Sequence, residues 1–147
     1  MIKRVLAFDP GETTGWFCVD YDSTFRNFQD NPHDSFCGTE ELWNNIPRLI
    51  RSRFIPDTIV CERFGLYPGK AKALSHNALL PVEVIGVIKY VAQEQNIPVI
   101  IQPASLIKRV VLTQTEQEMC GPSPHIQDAC KHTLAFILSK KGLELLK

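Results

Sequence analysis

Two short apolar runs that each stop on a carboxylate constrain this chain more than any other feature. Val5 to Phe8 is continuously apolar, has the length of a strand and ends in Asp9-Pro10-Gly11, whose Pro-Gly pair is a turn signal. Thr58 to Cys61 is a second run of the same kind, ending in Glu62. A strand that is apolar at consecutive rather than alternate positions is covered on both faces, as in sheets flanked by helices. Such sheets gather their sites at the carboxyl ends of their strands, so Asp9 and Glu62 are the first residues to consider for chemistry.

The rest of the chain fills in an α/β layout. Gly15 to Asp20 reads as a strand hairpinned back on the first, and a weaker strand is expected between Thr24 and Cys37. Gly38-Thr39 followed by Glu40 and Glu41 resembles a helix start with acids in its first turn. Leu42, Ile46, Leu49 and Ile50 then recur at helical spacing to about Phe54, where Pro56-Asp57 ends the helix. Residues 63 to 75 form a basic loop by composition. Asn77 to Gln95 reads as a helix too apolar for one face to hide, Val99 to Ile101 as a short strand, and Pro103 to Val111 as a short helix. Thr113 to Ser123 reads as a polar loop. Ser123-Pro124, an N-cap followed by proline at the first helical position, opens a last helix predicted to reach about Lys140. The expected fold is a single α/β domain over 1–147, with a mixed sheet of about five strands, one of them antiparallel, and helices on both faces.

Composition excludes several classes. The 147 residues fit one domain, and 44% apolar with 22% charged residues is enough to build a core without staples. No apolar run approaches the roughly 20 residues of a membrane span. The start of the chain shows no signal-peptide pattern, so a cytoplasmic location is expected. Five cysteines without a CxxC pair point to buried thiols in a reducing compartment. Lys+Arg and Asp+Glu balance at 16 each, yet residues 1 to 62 carry six bases against ten acids and residues 63 to 112 carry six against two. The middle third is therefore the place for a phosphate-facing patch.

Beside Asp9 and Glu62, the last helix carries His125 and Asp128 three residues apart, projecting from one face, with Ile126, Cys130, Leu134, Ile137 and Leu138 on another. Each has a bland reading when taken singly: a turn residue, a solvated strand end, a surface histidine, an acid near a helix N-terminus. Converging, Asp9, Glu62, His125 and Asp128 make an oxygen-rich donor set with one imidazole, which suits Mg²⁺ or Mn²⁺ rather than structural zinc. Two such ions per site would serve phosphodiester cleavage.

The joint pattern resembles a known family. LAFDPGETTGW at 6–16, IVCERFG at 59–65 and PHIQDACKHTLAFIL at 124–138 are similar to the three catalytic stretches of RuvC-type Holliday junction resolvases of the RNase H-like superfamily, in the same order. The similarity runs from the first strand to the last helix and is greatest to the phage-borne branch, where DPGxTTGW is frequent. The resemblance implies an RNase H-like fold and makes Asp9, Glu62, His125 and Asp128 the metal-binding and catalytic quartet. It further implies a Mg²⁺-dependent homodimer that nicks opposed strands of a four-way DNA junction symmetrically. One stretch departs: where the family carries a Gly-rich, Lys-bearing segment and a further helix, only Leu112 to Ser123 remains.

For DNA contact the expected residues are Arg63, Phe64, Tyr67, Lys70 and Lys72 in the basic loop, with Lys108 and Arg109 at the end of the short helix. His132, one helical turn beyond Asp128, is a candidate for supporting the site rather than forming it, and Trp16 and Cys130 are expected in the core. An actin-like ATPase also begins with a strand and an Asp-x-Gly-x-Thr-Thr-Gly turn, but it needs two lobes and this chain has room for one. A related nuclease acting on forks, flaps or RNA–DNA hybrids would share the same metal site, whereas the intact Asp9, Glu62 and Asp128 argue against a non-cutting RNase H-like module.

Overall fold

The computed structural model describes residues 1–65 and 79–139. In chain order the elements are β1 (Lys3–Asp9), β2 (Thr13–Tyr21), β3 (Ser35–Glu41), α1 (Ile46–Arg48) running into a wide π-type turn over Leu49–Arg53, β4 (Thr58–Glu62), α2 (Leu80–Glu94), β5 (Val99–Gln102), α3 (Ala104–Ile107), α4 (Gln114–Cys120) and α5 (Pro124–Ile137). The five strands form one sheet in the order β3-β2-β1-β4-β5. β1, β4 and β5 are parallel neighbours, and β2 runs antiparallel to both β1 and β3, so it alone runs against the rest.

Alternation along β1 divides the core in two. Val5 and Ala7 face a cluster with Phe17, Val19, Val60, Ala129, Phe136 and Ile137, which is the α5 side. Leu6 and Phe8 face Trp16, Ile46, Ile50, Ile59, Val84 and Ile88, the side covered by α1 and α2. Both faces of β1 are thus dry, which is why its sequence is apolar at every position from Val5 to Phe8. Trp16 and Cys130 are buried, as expected.

Four local expectations are corrected. Gly38 to Glu41 is not a helix start but the second half of edge strand β3, paired with Trp16 to Thr13. Gly38 is required there because a Cβ at that position would sit 2.6 Å from the Trp16 ring. Leu42 and Asn45 then turn the chain with positive φ (50° and 62°), so the helix shrinks to Ile46–Arg48 and its π turn, which together still bury Ile46, Leu49 and Ile50. Thr113 to Ser123 is not a loop throughout: Thr113 and Glu116 form a reciprocal capping box that starts α4. The helix expected over Pro103 to Val111 is only one turn, and the last helix ends at Ile137. Among the described residues no helix is long and apolar enough to cross a membrane.

Candidate active site

β1 and β4 are in register at Phe8 and Cys61, so one residue further on Asp9 and Glu62 leave the sheet side by side. Glu62 in turn pairs with Gln102 at the end of β5. By alternation Asp9 and Glu62 share the face of Ala7 and Val60, the face that α5 covers. The turn after β1 is closed by Thr14, whose hydroxyl is 3.3 Å from both the N–H and the carbonyl oxygen of Gly11. That tight turn brings β2 straight back, placing Gly15 opposite Asp9.

α5 approaches this row closely. Ser123 caps it by accepting from the Ile126 N–H, and Pro124 supplies the first helical residue. Its first turn lies on Gly15: a Cβ there would stand 2.3 Å from the carbonyl carbon and oxygen of His125. Helical spacing then aims His125, Asp128, Ala129 and His132 at the sheet. His125 Nδ1 lies 3.1 Å from Asp9 Oδ2, and its ring is still 43% exposed. His132, two turns along and fully buried, bridges Glu62 Oε2 at 2.8 Å through Nε2 and Gln102 Oε1 at 2.7 Å through Nδ1. Asp128 carries a loose ion pair with Lys131 at 3.6 Å.

The electrostatics show how crowded the carboxylates are. Asp9 is held well above the usual carboxylate range, at about 6, first by burial and then by the negative charge of Glu62, with Asp128 adding to the rise. The hydrogen bond and the charge of His125 pull the other way and do not prevail. Among the described residues no three His, Cys, Asp or Glu side chains form a ready ligand shell, and the site stands instead as two carboxylate–imidazole pairs. The donor set still fits a hard divalent cation. Asp9 holds its proton tightly because it is buried and, after that, because it faces the negative charge of Glu62 and Asp128; a divalent ion would offset both effects.

The cleft beside this row has a volume of about 350 Å³ and includes Pro10, Glu62, Arg63, Phe64, Ile85 and Pro103 in its lining. Of the expected DNA contacts, it brings together Arg63, which is exposed, and Phe64, which is half-buried. Lys108 and Arg109 are exposed on the turn after α3. Tyr67, Lys70 and Lys72 lie outside the described residues. The sequence places His132 correctly near the site but gives no sign of its second partner, because Gln102 reads only as the residue that follows a short strand.

No family model matches the chain, and no curated protein matches it in sequence. Among solved structures, the RuvC of Thermus thermophilus in complex with Holliday junction substrate is similar over 90% of this chain and 91% of its own, with a TM-score of 0.64 at 14% identity. A second Thermus thermophilus RuvC structure covers 92% of each chain with a TM-score of 0.62, also at 14% identity. The chain has the RuvC fold. Its mixed five-stranded sheet with helices on both faces is the RNase H-like architecture that the motifs imply. The match extends over nearly the whole of that RuvC chain, and in this chain the stretch from Leu112 to Ser123 holds the short helix α4.

Proposed function

We propose that this protein is a divalent-metal-dependent, structure-specific endodeoxyribonuclease that resolves four-way DNA junctions. The observation that supports this most is the gathering of Asp9, Glu62 and Asp128 on a RuvC-like sheet, with Asp9's proton affinity raised first by burial and then by its acidic neighbours. A buried Asp9 with the partly exposed carboxylates of Glu62 and Asp128 beside it opposes DNA approach and weakens the empty fold, which a cation partner would offset. Asp9, Glu62, His125 and Asp128 are the residues to hold Mg²⁺ or Mn²⁺, two ions per site. Bound there, the metal would supply an activated water and neutralise the departing oxygen of a phosphodiester.

The chain's own contributions follow from its geometry. The two strand ends set Asp9 and Glu62 side by side, α5 brings His125 and Asp128 against them, and His125 Nδ1 orients the Asp9 carboxylate. Arg63, with Lys70, Lys72, Lys108 and Arg109, would engage phosphates, and Phe64 and Tyr67 would offer aromatic faces at the opened crossover. Two opposed strands need two sites. The outward side of α2, with Leu79, Val82 and Tyr90 exposed, is the surface on which a two-fold homodimer would form. The DPGxTTGW form of the first motif favours a phage-like branch, active in the cytoplasm of the host cell.

Incubating the protein with labelled four-way junction, fork, flap, RNA–DNA hybrid and linear duplex tests the substrate class. The junction should be nicked first and symmetrically. Preferred cutting of a fork, flap or hybrid would reassign the substrate within the same chemistry, and binding without cutting of any substrate would leave a recognition module.

A further inference from the structure

His132 is the one imidazole of α5 that is fully buried, and it touches two polar side chains from two different strands, Glu62 at the end of β4 and Gln102 at the end of β5. A ring with two nitrogens must donate or accept at each. A bare Nε2 against the Glu62 carboxylate would set a lone pair against a negative charge, so Nε2 carries a proton and donates to Oε2. At Nδ1 two arrangements satisfy the ring: a second N–H donating to Gln102 Oε1 as placed, or a neutral ring accepting from the Gln102 amide turned end for end. Both give the same result at Glu62.

We infer that His132 is a positioning residue, anchored at Nδ1 by Gln102 and donating from Nε2 to Glu62 Oε2, so that Glu62 is held in one rotamer with Oε1 as the oxygen available to a divalent cation. The inference rests on the metal-dependent reading above. It separates the two histidines of one helix face by role. His125 is partly exposed and contacts Asp9, the arrangement of a group that can itself meet an ion. His132 is closed off from solvent and acts only through Glu62. Glutamate has more rotamer freedom than aspartate, so of the carboxylates at the two strand ends it is Glu62 that needs an external hold. Carboxylate ligands are ordinarily fixed by such hydrogen bonds from behind, and removing one typically weakens metal binding about tenfold to a hundredfold.

The test is Mn²⁺ binding by the full-length protein without DNA, read from the free-ion electron paramagnetic resonance signal and paired with thermal melts. His132→Leu keeps the volume and removes the donor, and it should weaken Mn²⁺ binding by about tenfold to a hundredfold. His132→Gln, which retains an N–H on a comparable reach, should recover part of the loss. Gln102→Leu leaves His132 present but unanchored, and it should weaken binding by a smaller factor. This variant decides the question if His132→Leu does not fold. A purely structural histidine would lower the melting temperature of these variants while their Mn²⁺ affinity stayed at the wild-type value, and that outcome overturns the inference alone. Wild type that binds no Mn²⁺ at all, or binds it no better than Asp9→Asn does, overturns the metal reading and this inference with it.

Discussion

Gly15 stands opposite Asp9 across the β1–β2 ladder, and the missing side chain of Gly15 is what lets the first turn of α5 rest on the sheet with His125 over Asp9. The relationship is steric. Any Cβ at position 15 meets backbone atoms of His125 at 2.3 Å, closer than atoms can stand, and backbone does not swing aside as a side chain tip does.

Gly15→Ala should therefore push α5 away from the strand ends. A stability loss on the order of 2–3 kcal/mol is expected from overpacking of this kind. Cleavage should fall further than the folded fraction does, since His125 and Asp128 move with the helix. Denaturant melts alongside single-turnover cleavage would show whether the two losses separate; a variant with wild-type activity and stability would contradict the packing argument.

Asp9 gives a pH signature. Its proton is held more tightly in the folded protein, near pH 6, than in the unfolded chain at about 3.9. Between those values the folded state binds more protons than the unfolded one, so Asp9's contribution makes stability fall as pH rises from about 4 to about 6 and stay low above that. Asp9→Asn should remove this slope and stabilise the metal-free protein at neutral pH by roughly 1 kcal/mol or more, one pKa unit being about 1.4 kcal/mol. Mg²⁺ or Mn²⁺ should raise the melting temperature of the wild type at pH 7.5 and leave that of Asp9→Asn unmoved. A variant that melts lower than wild type at neutral pH would show that the cluster is not under charge strain.

The outward face of α2 predicts assembly. Val82 and Tyr90 are 47% and 63% exposed while Leu80, Val84, Ile88 and Val91 fill the core side of the same helix. Val82→Glu with Tyr90→Asp should yield monomers at micromolar concentration, as read by light scattering, with the fold intact by circular dichroism. A monomeric wild type, or a double variant that stays dimeric, would place the interface elsewhere or remove it.

The basic stretch predicts salt dependence. Replacing Lys70 and Lys72 by Ala should weaken junction binding and flatten the log–log salt slope by roughly 0.9 for each phosphate that is no longer neutralised. Binding that matches wild type across a salt series would move attention to Lys108 and Arg109 on the turn after α3.

Most of the sheet, and the delivery of Asp9 and Glu62 at neighbouring strand ends, is legible in the sequence because the signals are local. Val5 to Phe8 and Thr58 to Cys61 announce doubly covered strands, and the acids that end them fall where parallel strands deliver their residues. The stretch from Gly38 to Glu41 misleads because its two acids and preceding glycine match a helix start, while its real determinant, the Trp16 ring pressing on Gly38, lies on another strand. The capping box of α4 is readable as Thr113 followed three residues later by Glu116, but the polar run around it has the composition of a loop. The Gln102–His132–Glu62 bridge joins two strands and a helix, and no spacing within any one of them carries that information.

Whether Asp9, Glu62, His125 and Asp128 assemble a metal site for phosphodiester cleavage is tested most directly by one measurement. A four-way junction labelled on each strand in turn is incubated with wild type, Asp9→Asn and Asp128→Asn across a Mg²⁺ and Mn²⁺ titration and in EDTA. Paired nicks in opposed strands are predicted for the wild type in either metal, with none in EDTA, and both variants should stop cutting while still binding the junction. Cleavage that persists in EDTA or in either variant would contradict the assignment of the site.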